Sequence, residues 1–222
     1  MALEQWEIRG EVCRMYEDVG LDLLLPPGGM AVGRAHQARY RLDIQLALEL
    51  ERRSCLVEND DGSHTILLSS ALSPLARAWK VVHEVWEFRL GPLPAPQGRL
   101  PYRLHDLERQ VDQLVVETLV PEAALRHTYR EIGQDLPALA EHFGVSQKVL
   151  ALRLGEALGL PVALYQAGDR RRARSSVAYR GPFELAPPNE LARVIAAGGA
   201  RGMRVIWLSD RVGTALVVGD SF

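Results

Sequence analysis

In the run WKVVHEVWEF, His83 and Glu87 stand four residues apart, so on a helix both side chains leave one face and reach a single ion. Glu84, between them, has the chemistry to take a proton from a metal-bound water. A third ligand must come from another helix. Glu108 and Asp112, in LERQVDQ, have the spacing of a ligand carboxylate followed one turn later by an acid able to orient a histidine. His105 precedes Glu108 by three residues; if the helix already runs there, it offers a nitrogen to the same side, and otherwise it is a surface histidine at a helix start. Nothing links His36, His64, His127 or His142 to these residues, and they read as core or solvated.

The elements around these residues follow from periodicity and punctuation. Trp6, Ile8, Val12 and Tyr16 among charged neighbours predict an amphipathic helix that stops at Gly20. The run LPPGGM breaks the chain, and leucines and alanines at helical spacing predict a second helix over residues 35–53. Two apolar runs flanking Asp60-Asp61-Gly62 predict a β-hairpin. Ser73 and Pro74 then mark the cap and first turn of the motif helix, which Gly91 and three prolines end. Leu107, Val111, Leu114 and Val115 lie on one face of the next helix, closed by Pro121. Residues 135–159 read as two short helices joined at Phe143-Gly144-Val145-Ser146, with Ser146 capping the second. A helix in FELAPPNELARVIAAGG and strands in MRVIWLS and GTALVVG complete the chain.

Of the 222 residues, 47% are hydrophobic and 24% charged, a balance that excludes a disordered or fibrous chain. The expected organisation is a domain over residues 1–160 with a small α/β appendage over 161–222. No run reaches the roughly 18 apolar residues of a membrane span. The opening MALEQWEIRGEV is charged where a signal peptide would be apolar, so the expected location is the cytoplasm. Cys13 and Cys55 lack the spacing of a redox or zinc pair and are expected as reduced thiols. Residues 1–122 carry 13 basic and 19 acidic groups, and residues 123–222 carry 13 and 9, so any anionic partner is expected at the C-terminal end.

In zinc peptidases H-E-x-x-H works because two imidazoles grip the metal while the Glu activates its water. Taken alone, H-E-x-x-E also describes an ordinary solvated helix face. The order of hairpin, motif helix, loop and ERQVDQLVVETLVP, however, resembles the ImmA/IrrE family of cytoplasmic metallopeptidases. That family's third-ligand helix reads like E-x-x-A-N-x-F-A-A-x-L-L-M-P. Glu108, Asp112, Leu114, Leu119 and Pro121 fall on the pattern, and LAEHFGVSQKVLALRLGEALGL is similar to the family's following L-A-x-x-F-x-V-S segment.

The resemblance implies an α+β, zincin-like core, mostly helical with a small β-sheet and a helix-turn-helix-like subdomain. It implies a metal-dependent endopeptidase that relieves repression by cleaving a helix-turn-helix repressor. By position, His83 and Glu108 would be ligands, Glu84 the general base, Glu87 a substituted ligand and Asp112 an outer acid. The implied cofactor is a divalent metal, zinc or manganese. Glu87 in place of the second histidine brings two carboxylates to one ion, which weakens activation of its water. Trp86 stands where the family has a small residue, a place from which it could fill the peptide cleft, although aromatic residues on a central helix such as Trp79, Trp86 and Phe88 are more often core than a substrate shelf. Val111 and Val115 replace alanines. The alternative is a catalytically inactive regulatory module that keeps the fold and binds a protein or DNA. For DNA, the two short helices and the following Arg170, Arg171, Arg172 and Arg174 are the candidate surface.

Overall fold

Ser73 accepts a hydrogen bond from the Ala76 amide at 3.3 Å and Pro74 fills the next position, so the motif helix α3 (Pro74–Leu90) starts where the sequence predicts. The structure is a computed structural model describing residues 3–25, 28–51, 53–91, 102–133 and 135–158, with strands at 162–167, 173–176, 199–200, 203–209 and 214–219. For residues 102–106 and these strands it describes the backbone. The chain divides into two units, Met1–His127 with Glu141–Val145, and Thr128–Ala140 with Ser146–Phe222.

In the first unit α2 (Gly29–Arg39) and α4 (Tyr102–Leu119) both pack on α3, and helix α1 (Gln5–Val19) packs on α4 and α2. On α1, Ile8, Val12, Met15 and Tyr16 form the buried stripe and Trp6 is exposed. On α4, Val111, Leu114, Val115 and Thr118 are buried at helical spacing, which leaves Glu108 and Asp112 on a wetter face. Thr118 ties three helices together. Its Oγ1 accepts from Trp86 Nε1 at 2.9 Å and donates to the Leu114 carbonyl at 2.7 Å, while its own carbonyl accepts from Tyr16 Oη at 2.7 Å.

A three-stranded sheet in the order β1-β3-β2 covers another side of α3. Strands β2 (Ser54–Glu58) and β3 (His64–Ser69) are the expected antiparallel hairpin, and Gly62 supplies the positive φ of 73° that its turn needs. The helix expected over residues 35–53 is not formed. Helix α2 ends at Arg39, and strand β1 (Leu42–Ala47) pairs in parallel with β3. Leu42, Ile44 and Leu46 alternate with Asp43 and Gln45, a period of two that the leucine-rich composition hides. Partnership with β3 decides between the two periods, and burial along that stripe fades from Leu42 to the exposed Leu46.

Helix α2 begins at Gly29, inside the expected chain break, because only glycine fits there. A Cβ on Gly29 would lie 2.2 Å from the Ala78 carbonyl oxygen, and one on Gly33 would lie 2.4 Å from Val81 Cγ1. The approach locks α2 onto α3. Farther along α2, His36 is fully buried: Nδ1 bonds the Val32 carbonyl at 2.9 Å and Nε2 has no partner. Its ring stacks on Tyr40, which donates to Asp18, and Asp18 also accepts from Arg89 at 2.9 Å.

Helix α5 (Glu122–Ile132) had no sequence forecast, and α6 (Leu136–Phe143) and α7 (Gln147–Leu158) are the two short helices expected around Gly144. Ser146 caps α7 by accepting from the Val149 amide at 3.3 Å. In the second unit α7 packs on an antiparallel sheet in the order β5-β4-β8-β7-β6. Strands β7 (Met203–Ser209) and β8 (Thr214–Gly219) match the expected MRVIWLS and GTALVVG, while β4 (Val162–Ala167), β5 (Ala173–Ser176) and β6 (Gly199–Ala200) had no sequence forecast. The helix expected in FELAPPNELARVIAAGG lies outside the described residues. Among the described residues, no helix is long and apolar enough to cross a membrane.

Two predictions follow from the α2 contacts. Gly29→Ala should destabilise the protein by about 1–3 kcal/mol, read by denaturant unfolding, because backbone must move to admit the methyl. Burial lowers the His36 pKa below its ordinary 6.5, with the Val32 hydrogen bond only partly offsetting it. Folding therefore carries no penalty from this group above pH 6.5, and one accrues as pH falls below that value towards the depressed folded pKa. The loss of stability on acidification should be shallower in His36→Phe than in the wild type.

Candidate metal centre

The polar face of α3 turns towards both β2 and α4. His83 and Glu84 are 6% and 3% exposed, unusual burial for such residues, and each meets partners from other elements. His83 Nε2 lies 3.3 Å from Glu87 Oε1 and 3.5 Å from Glu108 Oε2. On the other side of the ring, Nδ1 is 3.4 Å from Asp112 Oδ1, close but not aligned for a hydrogen bond. Glu84 accepts a very short hydrogen bond from the Ser54 hydroxyl at the start of β2.

One ligand atom each from His83, Glu87 and Glu108 lies within 4.8 Å of the others. Donors about 2.1 Å from one tetrahedral ion are roughly 3.4 Å from each other, so the separations at Nε2 are those of ligands able to share an ion. The donor set, an imidazole and two carboxylates, suits a divalent cation. A dication there would meet the nitrogen that faces both acids, leaving the other nitrogen towards Asp112, the arrangement in which a carboxylate orients a histidine ligand. The fit is therefore chemical as well as geometric.

The electrostatics describe the same crowding. Burial opposes charge on His83, but Asp112 and Glu87 outweigh it and raise its pKa to about 9. Burial also raises Glu84, to about 7, against the Ser54 hydrogen bond and with the help of the Glu87 charge. Glu87 is pushed up by burial and pulled below its ordinary value by His83, which prevails. Without an ion, a cationic imidazole neutralises part of the acid cluster; a bound dication competes with that proton.

The structure thus brings His83, Glu84, Glu87, Glu108 and Asp112 together. His105 lies on α4, but its side chain is outside the described residues, as are Arg170, Arg171 and Arg172; Arg174 is on β5 with only its backbone described. Of the two readings of Trp86, the core one holds. This residue is 1% exposed and its indole is bonded to Thr118 in the core, because position 86 falls on the apolar side of α3. Phe88 packs edge-on to Tyr40 and His64, with centroids 5.6 and 5.1 Å apart, and Trp79 is half-buried. Ser54 was missed by sequence reasoning. Thirty residues separate it from Glu84, and only the packing of β2 on α3 joins them.

The model of the IrrE N-terminal-like domain, a peptidase family, matches residues 35–155. The fold is similar to that of a Mycobacterium tuberculosis transcriptional regulator, at 13% identity and a TM-score of 0.62, over 97% of this chain and 76% of that one. No curated protein matches the sequence.

In chelator-stripped protein, the His83 imidazole should titrate with a midpoint of about 9 by NMR, well above the ordinary 6.5. Glu87→Gln should lower that midpoint, since it removes one of the charges holding the proton. A midpoint at the ordinary value in the wild type would contradict the acid cluster described.

Proposed function

The chain belongs to the IrrE N-terminal-like domain family, and from that premise we propose that it is a metal-dependent endopeptidase acting on a protein partner, a helix-turn-helix repressor. The observation that carries the reading is the convergence of Glu87 and Glu108 on one nitrogen of His83. His83, Glu87 and Glu108 hold a divalent ion, zinc or manganese. When bound, such an ion polarises a peptide carbonyl and acidifies water. Asp112 orients the imidazole from its far side. Glu84, with a pKa near neutrality at about 7, is suited to accept a proton from water and return it to the leaving amine. Burial keeps competing water from this carboxyl, and Ser54 restrains where it points.

The same hydrogen bond favours a second reading. Glu84 is almost wholly buried and one of its oxygens is committed to Ser54, while two carboxylates beside His83 leave little net positive charge to acidify water. A protein of this kind would hold a partner without cutting it and act as a regulatory binding module.

Elemental analysis of protein purified without added metal should find about one divalent ion per chain, lost in Glu108→Ala. An ion-free wild type that also shows no rise in Tm with zinc or manganese would end the metal-dependent reading. Given the ion, Glu84→Gln should reduce cleavage of a repressor substrate by about 10²–10⁴-fold with unchanged Tm. Unchanged partner binding with no cleavage in either protein would select the inactive module.

A further inference from the structure

At the candidate metal centre Glu87 holds the sequence position of the second histidine of an H-E-x-x-H helix. Glu87 is committed to that place. Its Oε1 is 3.3 Å from His83 Nε2, and only 18% of its side chain is exposed, so it is turned into the cluster rather than solvated. Glu108 brings a second carboxylate to the same nitrogen from α4. Trp86, the bulky neighbour that would crowd position 87, is turned into the core and bonded to Thr118, which leaves Glu87 free to face His83.

Sites built from nitrogen, oxygen and sulfur generally bind zinc more tightly than manganese, but the size of the gap depends on the donors. Imidazole and thiolate widen it, because they match the softer ion. Carboxylates narrow it, since their attraction for a dication is mainly one of charge and suits the harder ion. Exchanging one imidazole for one carboxylate while His83 and Glu108 stay in place therefore alters selectivity more than it alters the ability to hold an ion.

We propose that Glu87 is the metal-selectivity residue of this chain, and that by placing a second carboxylate beside His83 it narrows the preference for zinc over manganese. The inference rests on the reading of His83, Glu87 and Glu108 as a metal centre. It assigns to one side chain a property that neither the fold nor the remaining ligands decide. The chain then accepts manganese at concentrations where the same site with histidine at position 87 would hold zinc alone.

Calorimetric titration of the chelator-stripped full chain with zinc and, separately, with manganese tests this in wild type, Glu87→His, Glu87→Cys and Glu108→Ala. The ratio of the manganese Kd to the zinc Kd should rise by about tenfold or more in both Glu87 variants, since each replaces oxygen with a softer donor. Melting curves of the metal-free proteins identify a variant that fails to fold, and the other then carries the comparison. A ratio within about threefold of wild type in a folded variant overturns the role of Glu87 while the metal centre stands. Wild type that binds neither ion, or binding that Glu108→Ala leaves intact, overturns the metal centre and the inference together.

Discussion

Everything about this molecule turns on a helix that buries a histidine and a glutamate in consecutive positions. Taking His83 and Glu84 out of water is costly unless each finds polar partners, and α3 alone can provide only one, Glu87. The others arrive from two different elements: Ser54 from β2, and Glu108 with Asp112 from α4. The hairpin and the partner helix are thus tied to the same pair of buried side chains, and the chemistry of the site is inseparable from the satisfaction of its polar groups.

The apolar half of α3 secures this arrangement from behind. Trp86, Val82 and Val85 are buried, and the Trp86 indole ends on Thr118, whose hydroxyl is in turn satisfied within α4. Tyr16 reaches the Thr118 carbonyl from α1, so α1, α3 and α4 share one buried polar junction inside an apolar core. A buried network with each member bonded restricts sliding and rotation of helices more sharply than apolar contact alone. Restricting rotation of α3 and α4 keeps the His83 face opposite the Glu108 face, which a site spanning two helices requires. On the other flank, Gly29 and Gly33 let α2 approach α3 closely, while Arg89 in its last turn is anchored on Asp18.

The acid-rich composition of the site distinguishes it chemically from a two-histidine centre. Three carboxylates lie within 3.5 Å of one imidazole. Negative charge on this scale would attract a dication yet diminish the acidification of any water bound to it, so under the proposed function holding an ion and using it for hydrolysis would be separable properties. Glu84 sits at the meeting point of those properties, near neutrality in its proton affinity and restrained by a hydroxyl from the neighbouring strand.

Local signals made much of the scaffold legible. Gly20, Ser73 with Pro74, Asp60-Asp61-Gly62 and Ser146 each act on the backbone within a few residues, and the elements they punctuate are the ones observed. The four-residue spacings of His83 to Glu87 and Glu108 to Asp112 likewise place each pair on one helix face through the helical repeat alone. Residues 42–47 resisted such a reading because their leucines suit either period, and pairing with β3 made them a strand. A core place for Trp86 was the favoured reading of the sequence, but its partner, Thr118 on α4, came only with the packing of the two helices. By itself, then, the sequence determined the helices α1, α3, α4, α6 and α7 and which acids and histidine α3 and α4 present, since these depend on neighbours in the chain. Only the tertiary structure decided that Glu108 and Glu87 meet one nitrogen, that Asp112 meets the other and that Ser54 holds Glu84, because those contacts exist only when separate elements pack.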